Sequence, residues 1–133
     1  MQIDGQCHCG AIRYTAEIDP RHVVICHCTD CQALTGTAFR VSASSPRGRL
    51  TITGQPAVYE KRGDSGRKRF QHFCGHCGSP LFTSGEGEEA KTWGIRWGGV
   101  RQRAALAPTR QIWRRSAAPW VCAFEAAPAS VEE

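Results

Sequence analysis

Apolar and polar positions alternate along most of this chain, in short stretches. Residues 12–18 (IRYTAEI) and 91–97 (KTWGIRW) place an apolar or aromatic side chain at nearly every second position, as strands with one buried face do. Shorter β-branched or aromatic runs occupy 22–25, 37–41, 50–53, 56–60, 69–73 and 80–83, separated by turn formers such as SPRG at 45–48 and GDSG at 63–66. Nowhere does a 3.6-residue period persist over the length of a helix. Residues 29–35 (TDCQALT) predict one short helical turn, capped by Thr29 or Asp30 and ended at Gly36. The stretch 84–89 (SGEGEE) reads as an exposed loop. The pattern predicts an all-β fold, mainly small twisted antiparallel sheets, in one domain over residues 1–124 with a flexible tail at 125–133.

A chain of 133 residues forms one domain by length and is small enough to gain from a metal staple. The first residues, MQIDGQ, lack the basic patch and apolar run of a secretory leader. No apolar run approaches the ~18 residues that span a bilayer, so the expectation is a cytoplasmic protein with no membrane partner. The formal charge of +5 attracts anions only weakly and does not by itself make a nucleic-acid binder.

Cysteine usage changes the picture. Seven of the eight cysteines fall in three clusters, Cys7/Cys9, Cys26/Cys28/Cys31 and Cys74/Cys77, with Cys122 apart. In a reducing compartment such spacing points to metal rather than to disulfides. It also matches neither common ferredoxin pattern. Seven thiolates divide most simply as four and three. The 74–78 stretch (CGHCG) is a zinc knuckle whose last glycine tolerates positive φ. It needs a second pair, and Cys7/Cys9 supplies one while leaving Cys26/Cys28/Cys31 as a self-contained unit. Cys7, Cys9, Cys74 and Cys77 are therefore the candidate ligands of a closed structural zinc. Arg13 and Arg67–Arg69 stand near it in sequence, either to offset the thiolate charge or as ordinary solvated residues.

The second set is the candidate chemistry. Closed zinc sites take four protein ligands, whereas catalytic ones keep a position open. Cys26, Cys28 and Cys31 leave the fourth position for an exogenous thiol, which loses its proton on binding and becomes a nucleophile. The expectation includes a small cleft beside them. The competing reading is a fourth ligand from His8, His27, Asp30 or a partner chain, which would make this site structural. His27 alternates with its cysteine neighbours on an extended chain and points away from them. An open second zinc is also the one to be lost on purification.

These residues carry a resemblance. Gly5–Tyr14 (GQCHCGAIRY), Cys26–Gln32 (CHCTDCQ) with Thr35, Gly36 and Phe39, residues 73–79 (FCGHCGS), and Ile112-Trp113 with Trp120 are together similar to the glutathione-dependent formaldehyde-activating family, the CENP-V/GFA domain. The resemblance runs from about Gly5 to Val121. It implies a β-tent type of fold, the same four-and-three division of cysteines over two zinc ions, and a carbon–sulfur lyase activity condensing formaldehyde with glutathione. The chain departs from the family pattern in its last third. Residues 97–103 (WGGVRQR) lack an Asp, and Gln111 stands where members carry a His.

Trp93, Trp97, Trp113 and Trp120 read as core aromatics, and Cys122, inside the apolar WVCAF stretch, as a buried free thiol. Arg96, Arg101, Arg103, Arg110, Arg114 and Arg115 interleave with Trp97 and Trp113. That is the one feature favouring a binding module for nucleic acid or protein over a thiol-activating enzyme, and it reads more simply as a largely solvated face.

Overall fold

The computed structural model describes residues 1–131, so the last two residues of the expected tail lie outside the described residues. The strands in chain order are β1 (Gln2–Gln6), β2 (Arg13–Glu17), β3 (Val23–Cys26), β4 (Arg40–Pro46), β5 (Leu50–Thr53), β6 (Ala57–Arg62), β7 (Lys68–Phe73), β8 (Pro80–Gly85), β9 (Thr92–Arg96) and β10 (Arg110–Ile112). One α-helix, α1 (Thr29–Thr35), interrupts them. They form a three-stranded antiparallel sheet ordered β1-β2-β5 and a seven-stranded sheet ordered β10-β3-β4-β9-β8-β7-β6. All ladders are antiparallel except β10 on β3. The fold is mainly β with small sheets, as the alternation predicts.

Every expected strand is present, shifted by a few residues. Two further strands are not signalled by the sequence. β1 (QIDGQ) and β10 (RQI) carry almost no β-branched or aromatic residues, and each is held by its neighbour's ladder rather than by its own propensity. The 84–89 stretch is not wholly a loop. Ser84 and Gly85 continue β8 and are buried, and only beyond them does the chain turn through a 3-10 segment at Gly87–Lys91.

The side-chain period of two sorts the large sheet into two faces. Val23, Ala43, Ile95 and Phe82 are successive cross-strand partners on β3, β4, β9 and β8, each at most 1% exposed. This row packs toward the small sheet, where the Tyr14 ring meets Phe82 edge-on at 5.1 Å. Burying each of the larger apolar side chains contributes about 1.5–3 kcal/mol. The alternate positions, Cys26, Arg40, Ser42, Arg96 and Gln71, share the opposite face by the same registers. The alternation that builds the core thus delivers a thiol and two guanidiniums to one surface.

Candidate metal centres

The first set is built from two loops of the same design. In one, Cys7 N–H donates to Ile12 O and Gly10 N–H to Cys7 O. In the other, Cys74 N–H donates to Ser79 O and Gly78 N–H to Cys74 O. Gly10 and Gly78 both sit at positive φ, 79° and 76°, which a residue with a Cβ adopts only at a cost. The loops are cross-linked by His8 N–H donating to Ser79 Oγ at 3.0 Å. They bring the sulfurs of Cys7, Cys9, Cys74 and Cys77 within 4.8 Å of one another. Cys7–Cys9 and Cys9–Cys74 are 3.6 and 3.7 Å apart. Tetrahedral zinc with Zn–S near ~2.3 Å wants sulfurs about 3.8 Å apart, so the donors fit that ion. The Ser79 hydroxyl and neighbouring backbone N–H groups pull the Cys77 thiol down to about 5. Arg13 reaches this loop, donating to Gly10 O. Arg67 and Arg69 instead pair with Glu89, and Lys68 with Glu60.

The second set straddles the junction of β3 and α1. Cys26 ends the strand, Cys31 lies in the first turn of the helix, and Cys28 caps it. The Cys28 sulfur accepts the Cys31 N–H at 3.3 Å. The cap is thus neither Thr29 nor Asp30, because Cys28 alone holds the extended backbone of an N-cap with its side chain turned back to the helix. The three sulfurs lie within 4.8 Å of one another, and no fourth ligand atom of a His, Cys, Asp or Glu joins them among the described residues. Asp30 is engaged by Lys61 at 2.7 Å. His27 is buried and does not join the group, with its Nε2 2.8 Å from Gln111 Oε1. Burial pushes the Cys31 thiol up. At Cys28, burial is outweighed by the Cys31 thiol and N–H, Cys26 and Arg40, and its thiol falls below the usual range.

A cleft of about 340 Å³ lies between α1 and the sheet, lined by Leu34 and Thr35 of α1 with Arg40, Gln71, Phe73 and Arg96. None of the three cysteines lines it. It adjoins them through Arg40, which faces Cys26 across β3–β4, and through α1, which carries Cys31. A larger cleft of about 1100 Å³ shares Thr35, Arg40 and Arg96 and extends along Tyr14 and Trp97 toward Cys7 and His8.

Several expectations outside the clusters need correction. Cys122 is exposed, not buried, because residues 122–131 lie on the surface without a sheet to cover them. Trp93 and Trp97 pack against the core, but Trp113 and Trp120 are 48% and 58% exposed. Of the six arginines only Arg96 departs from the expected solvated face, at 7% exposed; Arg101, Arg103, Arg110, Arg114 and Arg115 are exposed, Arg101 paired with Asp4 at 2.7 Å. Sequence reasoning passes over Arg40 and Gln71, although register relative to Cys26 is the signal that could find them.

Comparison with known proteins shows the family and the fold. The profile of the glutathione-dependent formaldehyde-activating enzymes matches residues 2–116, a span containing both cysteine sets. The chain belongs to that family. A crystal structure of a Rhodobacter sphaeroides protein shares the fold, with a TM-score of 0.62 and 19% sequence identity over 81% of this chain and 98% of the other. No curated protein matches the sequence. Within the formaldehyde-activating family, both cysteine sets of this chain are compatible with zinc.

Proposed function

We propose that the protein is a zinc-dependent enzyme of carbon–sulfur lyase type. It takes an exogenous thiol, glutathione or a similar one, at Cys26, Cys28 and Cys31, and adds it to a small electrophile such as formaldehyde. The observation that carries this reading is the convergence of three sulfurs with no fourth protein ligand among the described residues, while four other cysteines form a set of their own. Zinc held there would supply a position at which the thiol binds as thiolate.

The remaining work falls to the chain. The helix cap fixes Cys28 relative to Cys31. Gln32 donates its amide to both His27 O and Ser116 O, at 2.8 and 2.9 Å, tying α1 to the segment after β10. Arg40, opposite Cys26, offsets negative charge on the sulfurs. The addition forms one S–C bond, moves the carbonyl π pair onto oxygen and leaves the thiol proton there, so it consumes no oxidant or reductant. Cys7, Cys9, Cys74 and Cys77 would hold a structural zinc.

The test is a metal count followed by thiol titration. Two zinc ions per chain are expected, with glutathione binding once and releasing a proton, seen as buffer-dependent heat in calorimetry. A second zinc that neither binds glutathione nor releases a proton would end the reading.

A further inference from the structure

We propose that the cleft of about 340 Å³ beside α1 is a carboxylate site, and that the substrate of this protein carries a carboxylate only a few bonds from its reacting atom. The word substrate here rests on the thiol-addition reading. The anion site does not.

Arg96 emerges from β9 and is 7% exposed. It donates Nη1 to Ser42 Oγ at 2.7 Å and Nη2 to Gln71 Oε1 at 2.9 Å. Arg40 Nη1 donates to the same Gln71 oxygen at 3.2 Å. Two guanidiniums therefore meet on one neutral acceptor. Neither has a carboxylate within ion-pair distance among the described residues, whereas Arg21, Arg49, Arg67, Arg69 and Arg101 each have one. Burial first, then the like charge of Arg40, pushes Arg96 down to about 9, so it is still a cation at neutral pH.

A buried cation satisfied only by neutral groups is costly to hold, and a guanidinium offers five donors, arranged to match a carboxylate. Both arginines line the cleft, so their unused donors are available to a ligand there. The triplet cannot balance them alone. Before a substrate binds, three thiolates holding one divalent ion would leave a single negative charge against two positive ones. Leu34, Phe73 and Phe82 give the same cleft an apolar wall, and its volume suits a small molecule. Arg40 and Cys26 are directly opposed, where Cβ atoms stand about 5 Å apart. That spacing sets the few-bond separation.

Two ligands share this chemistry, an acidic thiol and an electrophile bearing a carboxylate. The experiment uses the full chain loaded with cobalt, whose sulfur charge-transfer absorption reports thiol binding. The probes are 3-mercaptopropionate against 2-mercaptoethanol, and glyoxylate against formaldehyde as stabilisers in thermal melts. A charge-assisted pair predicts roughly a tenfold preference for the acidic thiol. Arg40→Gln should erase this preference, weakening 3-mercaptopropionate by roughly tenfold more than 2-mercaptoethanol, and Arg40→Lys should keep part of it. An Arg40-dependent shift with glyoxylate and no thiol preference places the carboxylate on the electrophile instead, and still supports the site.

Equal affinities for the two thiols with no glyoxylate effect overturn the proposal. So does an Arg40→Gln variant that weakens both thiols alike, since Arg40 would then only balance the sulfurs. If neither thiol binds, the thiol-addition reading has failed, and the Arg40 dependence of glyoxylate stabilisation alone decides the site. Should Arg40→Gln not fold, Arg40→Lys and the wild-type protein distinguish the same outcomes.

Discussion

Gln111 Oε1 lies 2.8 Å from His27 Nε2 and also accepts from Arg114 Nη1 at 3.3 Å. With that oxygen an acceptor for both, the His27 proton sits on Nε2, and His27 Nδ1 is left buried with no partner. His27 is flanked by Cys26 and Cys28, so the bond anchors the backbone from which both sulfurs project. Gln111 thereby does a definable job at the position where family members carry a His. Gln111→Leu would strand a buried donor, at a cost of about 1–3 kcal/mol, whereas Gln111→Glu keeps an acceptor. Thermal melts of the two variants should differ clearly. Equal melting temperatures would mean the bond contributes nothing.

The two cysteine sets should respond differently to the same substitution. Cys74 is fully buried in the core cluster, and metal bound by a folded site is itself folding free energy. Cys74→Ser should lose the structural ion and unfold or aggregate. Cys26→Ser should keep the far-ultraviolet dichroism of the native fold and bind one metal ion fewer. Metal analysis of both purified variants checks this, and a folded, fully loaded Cys74→Ser protein would contradict it.

Asp4 ties β1 to the loop after β9. Hydrogen bonds from Arg101 and Gln102, together with the Arg101 charge, hold its carboxyl at about 2, against 3.8 when free. A folded value below the unfolded one means the contribution is complete above about pH 4 and is lost as pH falls toward 2. A carbon-detected titration of the Asp4 carboxyl should show no inflection above about pH 3. A midpoint near 4 would show the contact to be absent in solution.

Mixed-sequence DNA or RNA should bind weakly and be released at physiological salt. Arg96 is turned inward and Arg101 is held by Asp4, which leaves Arg110, Arg114 and Arg115 as the exposed cations beside Trp113, Arg115 stacked on its ring at 4.7 Å. Fluorescence anisotropy across a salt series measures this. Tight binding that persists at that salt would favour a binding module.

Much of this protein could be read from its order of residues alone. Alternation at 12–18 and 91–97 sets β2 and β9, because a sheet with one buried face imposes a period of two on any sequence that forms it. The spacing of the cysteines was equally legible, since ligands on a tight turn must lie two or three residues apart. Gly78 could be placed at positive φ for the same local reason. What could not be read were the relations fixed by pairing between distant segments. β1 and β10 have weak intrinsic preference and exist because β2 and β3 offer them a ladder. The exposure of Trp113, Trp120 and Cys122 depends on which stretch of sheet is left to cover the C-terminal segment, and there is none. Arg40 and Arg96 meet Gln71 across separations of 31 and 25 residues, and only the register of β4, β9, β8 and β7 puts them on the face that carries Cys26. Local sequence decides which way a side chain alternates. The tertiary register decides what it meets there.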